Sequence, residues 1–419
     1  MALLEHMENK IQNLQLDMSA SRNGKLDGPI KRPSRPFTSP LHFGDVRGPN
    51  CRSVPASPSI NRRSQLHICR PNALSMDSAT VINGCYSPRR NTNHPSRVDA
   101  RIQNLMSRTG ELNIRGKIYK FTDSDLERVC VLGSGSCGTV HRMRHIPSGE
   151  TFAVKQMGRS ADLHESKQIL SDLDVVLRLT DNGYIVRCLG ALITEQVVYV
   201  CMEEMATCLE RLARKLKPKT FPEPVLGKIA VSTVHALDYL KRAYDIIHRD
   251  IKPSNILVSW NGEFKLCDFG IAGRLIQSKV RTRNAGCVAY MAPERIDCEQ
   301  SGDYGVRADV WSLGVTLVEL AIGHHPYLQP NNSKTTDFEV LARILHYPAP
   351  TLGSNFSPLL QSFVKDCLIK DSTMRPKYDS LLVHRFILKH EKGAEADFNV
   401  KHWVRSLLSH DYSQHLSNS

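Results

Sequence analysis

Between His248 and Glu294 the chain carries, in fixed order, His248-Arg249-Asp250, Lys252, Asn255, Asp268-Phe269-Gly270 and Ala292-Pro293-Glu294. A polar, hydroxyl-bearing segment lies between the last two groups. Any one of these tripeptides arises by chance often enough to ignore, whereas their joint order and spacing strongly restrict the fold that can use them. Asp250, Asn255 and Asp268 place carboxylate and amide oxygens, hard donors that suit a cation such as Mg²⁺, within this span.

Upstream, Val131 to Val140 reads as strand, glycine-rich turn, strand, with Gly133, Gly135 and Gly138 leaving room for backbone N–H groups to close over phosphates. A lone pattern of this type equally suits a dinucleotide fold. No helical pattern follows Gly138, and Phe152-Ala153-Val154-Lys155 follows as another strand. A helical pattern then runs through Ile169, Leu170, Leu173, Val176 and Leu177, and a strand is expected from Ala191 to Met202. A long apolar helix through Ile229, Val231, Val234, Leu237 and Leu240 leads back to His248.

This ordered set resembles the protein-kinase signature. The resemblance implies an α+β, bilobal fold, with a small, mostly β N-lobe and a larger, mostly α C-lobe. It implies ATP and Mg²⁺ as cofactors. Asp250 is then the catalytic carboxylate, and Lys252 the cation beside the transferred phosphate, as in the serine/threonine type. Lys155 holds phosphate, and Asn255 and Asp268 hold the metal. The ATP site would comprise Leu132, Gly133, Ser134, Gly135, Ser136, Cys137, Gly138, Val140, Ala153, Lys155, Asp172, Met202, Glu203 and Met205. Met202 guards the adenine pocket, and Met205 supplies backbone hydrogen bonds. The acid that pairs with Lys155 is open between Asp172, favoured by spacing, and Glu165, about two turns earlier on nearly the same face. Asp309, Trp311 and Gly314 resemble the helix that anchors the large lobe, and Arg375 is a candidate ion-pair partner for Glu294.

The chain has 419 residues and a formal charge of +13. Before Lys120 there are 18 Lys and Arg against 8 Asp and Glu, so most of that excess sits in the N-terminal region. A basic tail can meet nucleic acid, anionic membrane or an acidic protein patch. With no aromatic-rich or zinc-binding module beside it, the protein patch is favoured, and neither nucleic acid nor membrane is expected as a partner. The absence of a long apolar run or signal pattern, with 12 scattered cysteines, suits a reduced compartment: the cytoplasm, with the nucleus also allowed.

Residues 1–97 are expected to be a mostly disordered regulatory tail, because a segment rich in Pro, Ser, Asn and Arg cannot offset its ordering entropy. At its start Leu4, Met7, Ile11, Leu14 and Met18 form a heptad stripe too short to be an independent helix. Arg62-Arg63 stand just ahead of Leu66 and Ile68, which point the same way in an extended peptide. Weaker versions are Lys31-Arg32 with Leu41 and Phe43, and Arg70 with Leu74 and Met76. A helical segment is expected over 98–118, a catalytic domain over 119–388, and a C-terminal docking helix and tail over 389–419. In the last, Val400, Trp403, Val404 and Leu407 fall at helical spacing, which suits either docking or packing on the chain's own large lobe.

The runs Lys265–Leu275, Ser278–Arg283 and Ala285–Ile296, with Asp397-Phe398-Asn399-Val400-Lys401-His402-Trp403, resemble the mitogen-activated protein kinase kinases, and most the type that activates Jun N-terminal kinases. The resemblance implies a dual-specificity kinase acting on Thr and Tyr in the activation loop of a Jun N-terminal kinase. It implies docking of that substrate through Arg62, Arg63, Leu66 and Ile68, an upstream kinase at the C-terminal segment, and a possible scaffold protein. It makes Ser278 and Thr282 activating phosphosites, with Arg249 as phosphate partner. Three positions depart from the family pattern: Ala272 where Ser is usual, Cys287 where Thr is common, and Asp172 where Glu is usual. The competing readings are a kinase of another mitogen-activated branch and a catalytically silent scaffold. The latter predicts loss of Lys155, Asp250 or Asp268, and all three are present.

Overall fold

The computed structural model describes residues 106–135, 138–159, 170, 173, 175–179, 182–268, 288–296, 305–328, 335–392, 398–409 and 411. All belong to the unit His94–Ser419. The tail motifs, Ser136, Cys137, Glu165, Asp172, Phe269, Gly270, Ala272, Ser278, Thr282 and Cys287 lie outside the described residues.

The small lobe is an antiparallel sheet of β1 (Glu111–Ile114), β2 (Lys117–Lys120), β3 (Leu126–Gly135), β4 (Gly138–His145), β5 (Thr151–Gly158), β6 (Cys188–Ile193) and β7 (Val197–Met202), in the order β2-β1-β6-β7-β5-β4-β3. Where a helix is expected over 98–118, only Met106 and Ser107 are helical among the described residues, and β1 and β2 form a hairpin. The physical reason is local. Leu112 and Ile114 alternate with polar neighbours and are both buried, and Arg115 and Gly116 take φ of 50° and 85°, the paired left-handed geometry of a tight hairpin turn. Likewise, the single strand expected from Ala191 to Met202 is two strands. Thr194 turns the chain between them, its Oγ1 accepting from the Val197 amide at 3.0 Å.

Period-two burial gives β5 two inward faces. Phe152 and Val154 join Leu112, Phe121, Met143 and Cys201 in one core, while Met157, on the same face as Lys155, packs with Leu170, Leu173 and Val176. The latter core runs on into the large lobe.

There, β8 (Thr207–Cys208), α1 (Leu209–Lys215), α2 (Glu223–Tyr244), β9 (Ile256–Val258), β10 (Phe264–Leu266), α3 (Pro293–Ile296), α4 (Arg307–Ile322), α5 (Asp337–His346), α6 (Pro358–Cys367), α7 (Tyr378–Leu382), α8 (Arg385–Lys392) and α9 (Val400–Leu407) follow in order. Helix α2 is the long apolar helix read from the sequence and ends at Asp245, whose φ of 55° stops it in the left-handed region. Helix α4 is buried along nearly its whole length. A Cβ at its Gly314 would stand 2.8 Å from Leu368, so the glycine lets that residue close onto it.

Helix α9 packs on the large lobe. Val400, Val404 and Leu408 are buried, the Trp403 ring meets Phe221 edge-on at 5.6 Å, and Arg405 Nε donates to the Trp260 carbonyl at 2.9 Å. Of the two readings of its apolar stripe, packing accounts for the buried positions.

Candidate active site

The hairpin β9–β10 brings together groups that are far apart in sequence. Ile256 pairs with Leu266, so the residues flanking the two strands lie side by side, and the Cys267 amide donates to the Asn255 carbonyl at 3.0 Å. The loop His248–Asn255 and the residue Asp268 thereby share one end of a small sheet, whose order is β10-β9-β8.

Within the loop, Lys252 Nζ lies 2.7 Å from Asp250 Oδ2. Asn255 Nδ2 donates to the Asp250 carbonyl at 2.7 Å and to its Oδ2 at 2.8 Å. The Asp250 side chain is therefore fixed on two sides. Because Asn255 spends its amide N–H groups on Asp250, its Oδ1, which accepts a long hydrogen bond from Ser254 Oγ at 3.5 Å, is the side-chain atom that can take a further partner.

The backbone around these groups is strained and firmly held. Arg249 and Asp268 have φ of 68° and 61°, a region that non-glycine residues enter at a cost of about 1–3 kcal/mol. Asp309 of α4, fully buried, accepts from the amides of His248 at 2.8 Å and Arg249 at 2.7 Å, and from the Tyr378 hydroxyl at 2.8 Å. Arg295 Nη1 donates to the Arg249 carbonyl at 2.9 Å. The His248 ring is 2.9 Å from the Cys267 carbonyl, next to Asp268. Burial and the Asp309 carboxylate push the Tyr378 phenol well up, so it stays a donor.

Lys155, 5% exposed, reaches across the cleft from β5 and places Nζ 2.6 Å from Asp268 Oδ1. Burial alone would raise the Asp268 carboxyl. The Lys155 ammonium, its hydrogen bond, and the nearby His248 and Lys252 more than offset that and hold it below the usual carboxylate range.

Above the cleft, the glycines differ in purpose. A Cβ at Gly133 or Gly135 would meet nothing within 4 Å, so both border open space. Gly138 has φ of 137°, and a Cβ there would fall 2.1 Å from the Gln156 carbonyl, so this glycine serves the close approach of β4 to β5. Ser134 is exposed, and Leu132 and Val140 are half-buried. Between the lobes lies a separate apolar cluster of Val186, Met205 and Cys267, with Met202 and Leu257 against it, and Met202 is the register partner of buried Ala153. Apolar side chains next to the strands that carry the Lys155 ammonium and the Asp268 carboxylate suit a flat base joined to phosphates.

Farther down, Arg375 and Glu294 form the pair read from the sequence: Nη1–Oε1 is 2.7 Å, and the Arg375 side chain is fully buried over the Trp311 ring. This anchors α3 to the large lobe. Tyr290 donates to Glu319 Oε2 at 2.5 Å, and its carbonyl accepts from Ser312 Oγ at 2.7 Å. Sequence reasoning missed the hydrogen bonds of Asp309 and the ion pairs Arg142–Glu204 and Lys265–Glu203. Of these residues, Asp309 and Lys265 carry a sequence signal, a charge between two apolar neighbours.

A β-rich small lobe over a helical large lobe, with this loop at the cleft, defines a phosphoryl-transfer enzyme of the protein-kinase class. A family model described as "Protein kinase domain" matches residues 126–387. The chain is 44% identical over 411 residues to Dual specificity mitogen-activated protein kinase kinase 7 of Rattus norvegicus, covering 97% of this chain and 93% of that one. Over the same length and shares it is 43% identical to the protein of that name from Homo sapiens. It is 45% identical over 328 residues to Dual specificity mitogen-activated protein kinase kinase mek-1 of Caenorhabditis elegans, covering 77% and 91%. The chain belongs to the protein kinases and, within them, to the dual-specificity mitogen-activated protein kinase kinases, enzymes that use ATP.

Proposed function

We propose that the enzyme transfers the γ-phosphate of ATP to Thr and Tyr in the activation loop of a Jun N-terminal kinase-type mitogen-activated protein kinase. The observation that carries this reading is the fixed Asp250 carboxylate, set by Lys252 and Asn255 on a loop whose strained backbone a buried Asp309 holds. Asp250 orients the acceptor hydroxyl and takes its proton, and Lys252 lies where its charge meets the transferred phosphate. Lys155 binds the phosphates. Asp268, kept ionised, and Asn255 Oδ1 hold Mg²⁺, which when bound neutralises charge on the phosphate oxygens. Two side-chain oxygens with phosphates and water satisfy this ion, so no larger ligand cluster is needed. The base lies in the slot of Leu132, Val140, Ala153, Met202 and Met205, with backbone groups of Glu203 and Met205 facing it.

Phosphorylation of Ser278 and Thr282 by an upstream kinase switches the enzyme on, with Arg249 as phosphate partner. The basic tail, through Arg62, Arg63, Leu66 and Ile68, tethers the substrate and raises the effective concentration of its loop at the active site. An upstream kinase that reaches the C-terminal segment meets the exposed Lys401, His402 and Ser406, since the apolar side is buried.

The test is mass spectrometry of a purified Jun N-terminal kinase after incubation with ATP, Mg²⁺ and the Ser278→Glu, Thr282→Glu variant, with Lys155→Met as control. The expected result is phosphate on both Thr and Tyr of the activation loop, absent from the control. Phosphate on a different mitogen-activated kinase alone would move the substrate to another branch, and no transfer to any substrate would end the kinase reading.

A further inference from the structure

The connection between the lobes, Met202–Met205, carries two consecutive acids, and they face opposite ways. Glu203 turns to the large lobe: Lys265 Nζ of β10 donates to its Oε1 at 2.8 Å and Oε2 at 3.1 Å. The Arg187 amide also donates to Glu203 Oε1 at 2.7 Å, and the Glu203 amide donates to the Arg187 carbonyl at 3.0 Å. Glu204 turns to the small lobe, where Arg142 Nε of β4 lies 2.9 Å from both carboxylate oxygens and Nη2 donates to Oε1. All four side chains are at most 20% exposed.

Each pair has a member close to residues of the proposed nucleotide site. Arg142 is the register partner of Ala153, and Lys265, on β10, stands three residues before Asp268. Buried ion pairs seldom out-stabilise apolar residues of similar volume, so stability alone does not account for two of them at adjacent positions. What they supply is direction, because a paired, buried charge tolerates little displacement of either partner.

We propose that Arg142–Glu204 and Lys265–Glu203 form a two-sided clamp, and that these four residues are positioning residues for the nucleotide. One pair fixes the connection to the small lobe and the other to the large, so that the backbone of Glu203 and Met205 meets the base at a set angle between the lobes. This rests on the nucleotide site proposed above. The clamp makes no contact with the phosphates or the acceptor, so it acts on nucleotide affinity and not on the transfer step.

The test uses the full chain with Ser278→Glu and Thr282→Glu as parent. Calorimetry gives Kd for Mg²⁺-ADP, and steady-state assays give KM for ATP and kcat. Lys265→Met and Glu204→Gln should each raise Kd and KM about fivefold to tenfold with kcat within about twofold, the split expected of an interaction made equally before and during transfer. The double variant Glu203→Gln, Lys265→Met leaves no unpaired charge, keeps a side-chain oxygen for the Arg187 amide, and should keep the parent's melting temperature while still raising KM. Lys265→Arg should restore most of the affinity. If Kd and KM stay within twofold of the parent whatever happens to melting, or if kcat falls with KM unchanged, the clamp is a structural pair only and the proposal is overturned. If the parent itself binds no Mg²⁺-ADP, the nucleotide-site reading fails and the clamp with it.

Discussion

The catalytic loop and the glycine-rich hairpin lie at the same cleft and are built on opposite plans. The loop His248–Asn255 is pinned at the amides of His248 and Arg249 and the carbonyls of Arg249 and Asp250, and its strain at Arg249 is held by a fully buried carboxylate. The hairpin β3–β4 borders open space at Gly133 and Gly135, and β3 is an exposed edge strand with register shifts after Arg128 and Val131. The contrast shows where accuracy is needed. On the proposed mechanism an acceptor hydroxyl must be aligned to within a fraction of an ångström, which fits a loop that is over-determined. On the same proposal nucleotide phosphates need donors that can approach from above, which fits a hairpin with free space at Gly133 and Gly135.

The strongest attack on this contrast is at the loop's reacting group. Asp250→Asn should lower kcat about 10²–10⁴-fold with the fold kept, measurable by phosphate transfer beside circular dichroism. A variant with near-normal kcat would remove Asp250 from the chemistry. Next in size, Asp309→Ala leaves two amides and a tyrosine hydroxyl without their buried acceptor and should cost about 3–5 kcal/mol in urea unfolding, with kcat also reduced. If stability falls and the folded fraction keeps full kcat, the loop does not depend on this anchor.

The hairpin itself can be split. Gly138→Ala sets a Cβ 2.1 Å from a backbone oxygen at a left-handed φ and should cost about 1–3 kcal/mol or more, whereas Gly133→Ala should cost about 0.5 kcal/mol or less and show itself mainly in KM for ATP. Equal melting temperatures for the two would show that both glycines serve the same purpose.

The smallest effect concerns the buried cluster beneath Tyr290. Burial pushes Glu319 up to about 7 and His325 down to about 4. Stability from the Glu319 proton is complete below its unfolded value of 4.5 and is lost as pH rises through about 7. Stability from neutral His325 is complete above its unfolded value of 6.5 and is lost as pH falls through about 4. Between 4.5 and 6.5 the two slopes oppose each other. Glu319→Gln should therefore uncover a loss of stability toward acid, read from urea midpoints at pH 5, 6 and 7. An unchanged profile would mean that His325 does not titrate alone.

The grouping of the His248–Asn255 loop was legible because it is local: Asp250, Lys252 and Asn255 are close in sequence and their side chains meet, and the Glu294–Arg375 pair followed from family order. Partner choice across the fold was not. Nothing at Glu203 or Glu204 in the sequence says that one acid faces each lobe, since the strands that receive them are set by long-range pairing. The region before Phe121 was misread for a different reason. The helical segment expected over 98–118 contains Leu112 and Ile114, whose alternation with polar neighbours is a strand signal.

That hairpin carries a practical lesson about where an excised fragment can start. The family match begins at residue 126, yet Leu112, Ile114 and Phe121, all before it, are core residues of the small lobe. Gly190, where a Cβ would stand 2.0 Å from the Glu111 carbonyl, lets β1 lie against β6. Trimming to the matched boundary would strip a covering from β6 and leave an unpaired strand edge beside newly bared apolar side chains, a recipe for self-association. A fragment that keeps this core covered therefore begins ahead of Gly110.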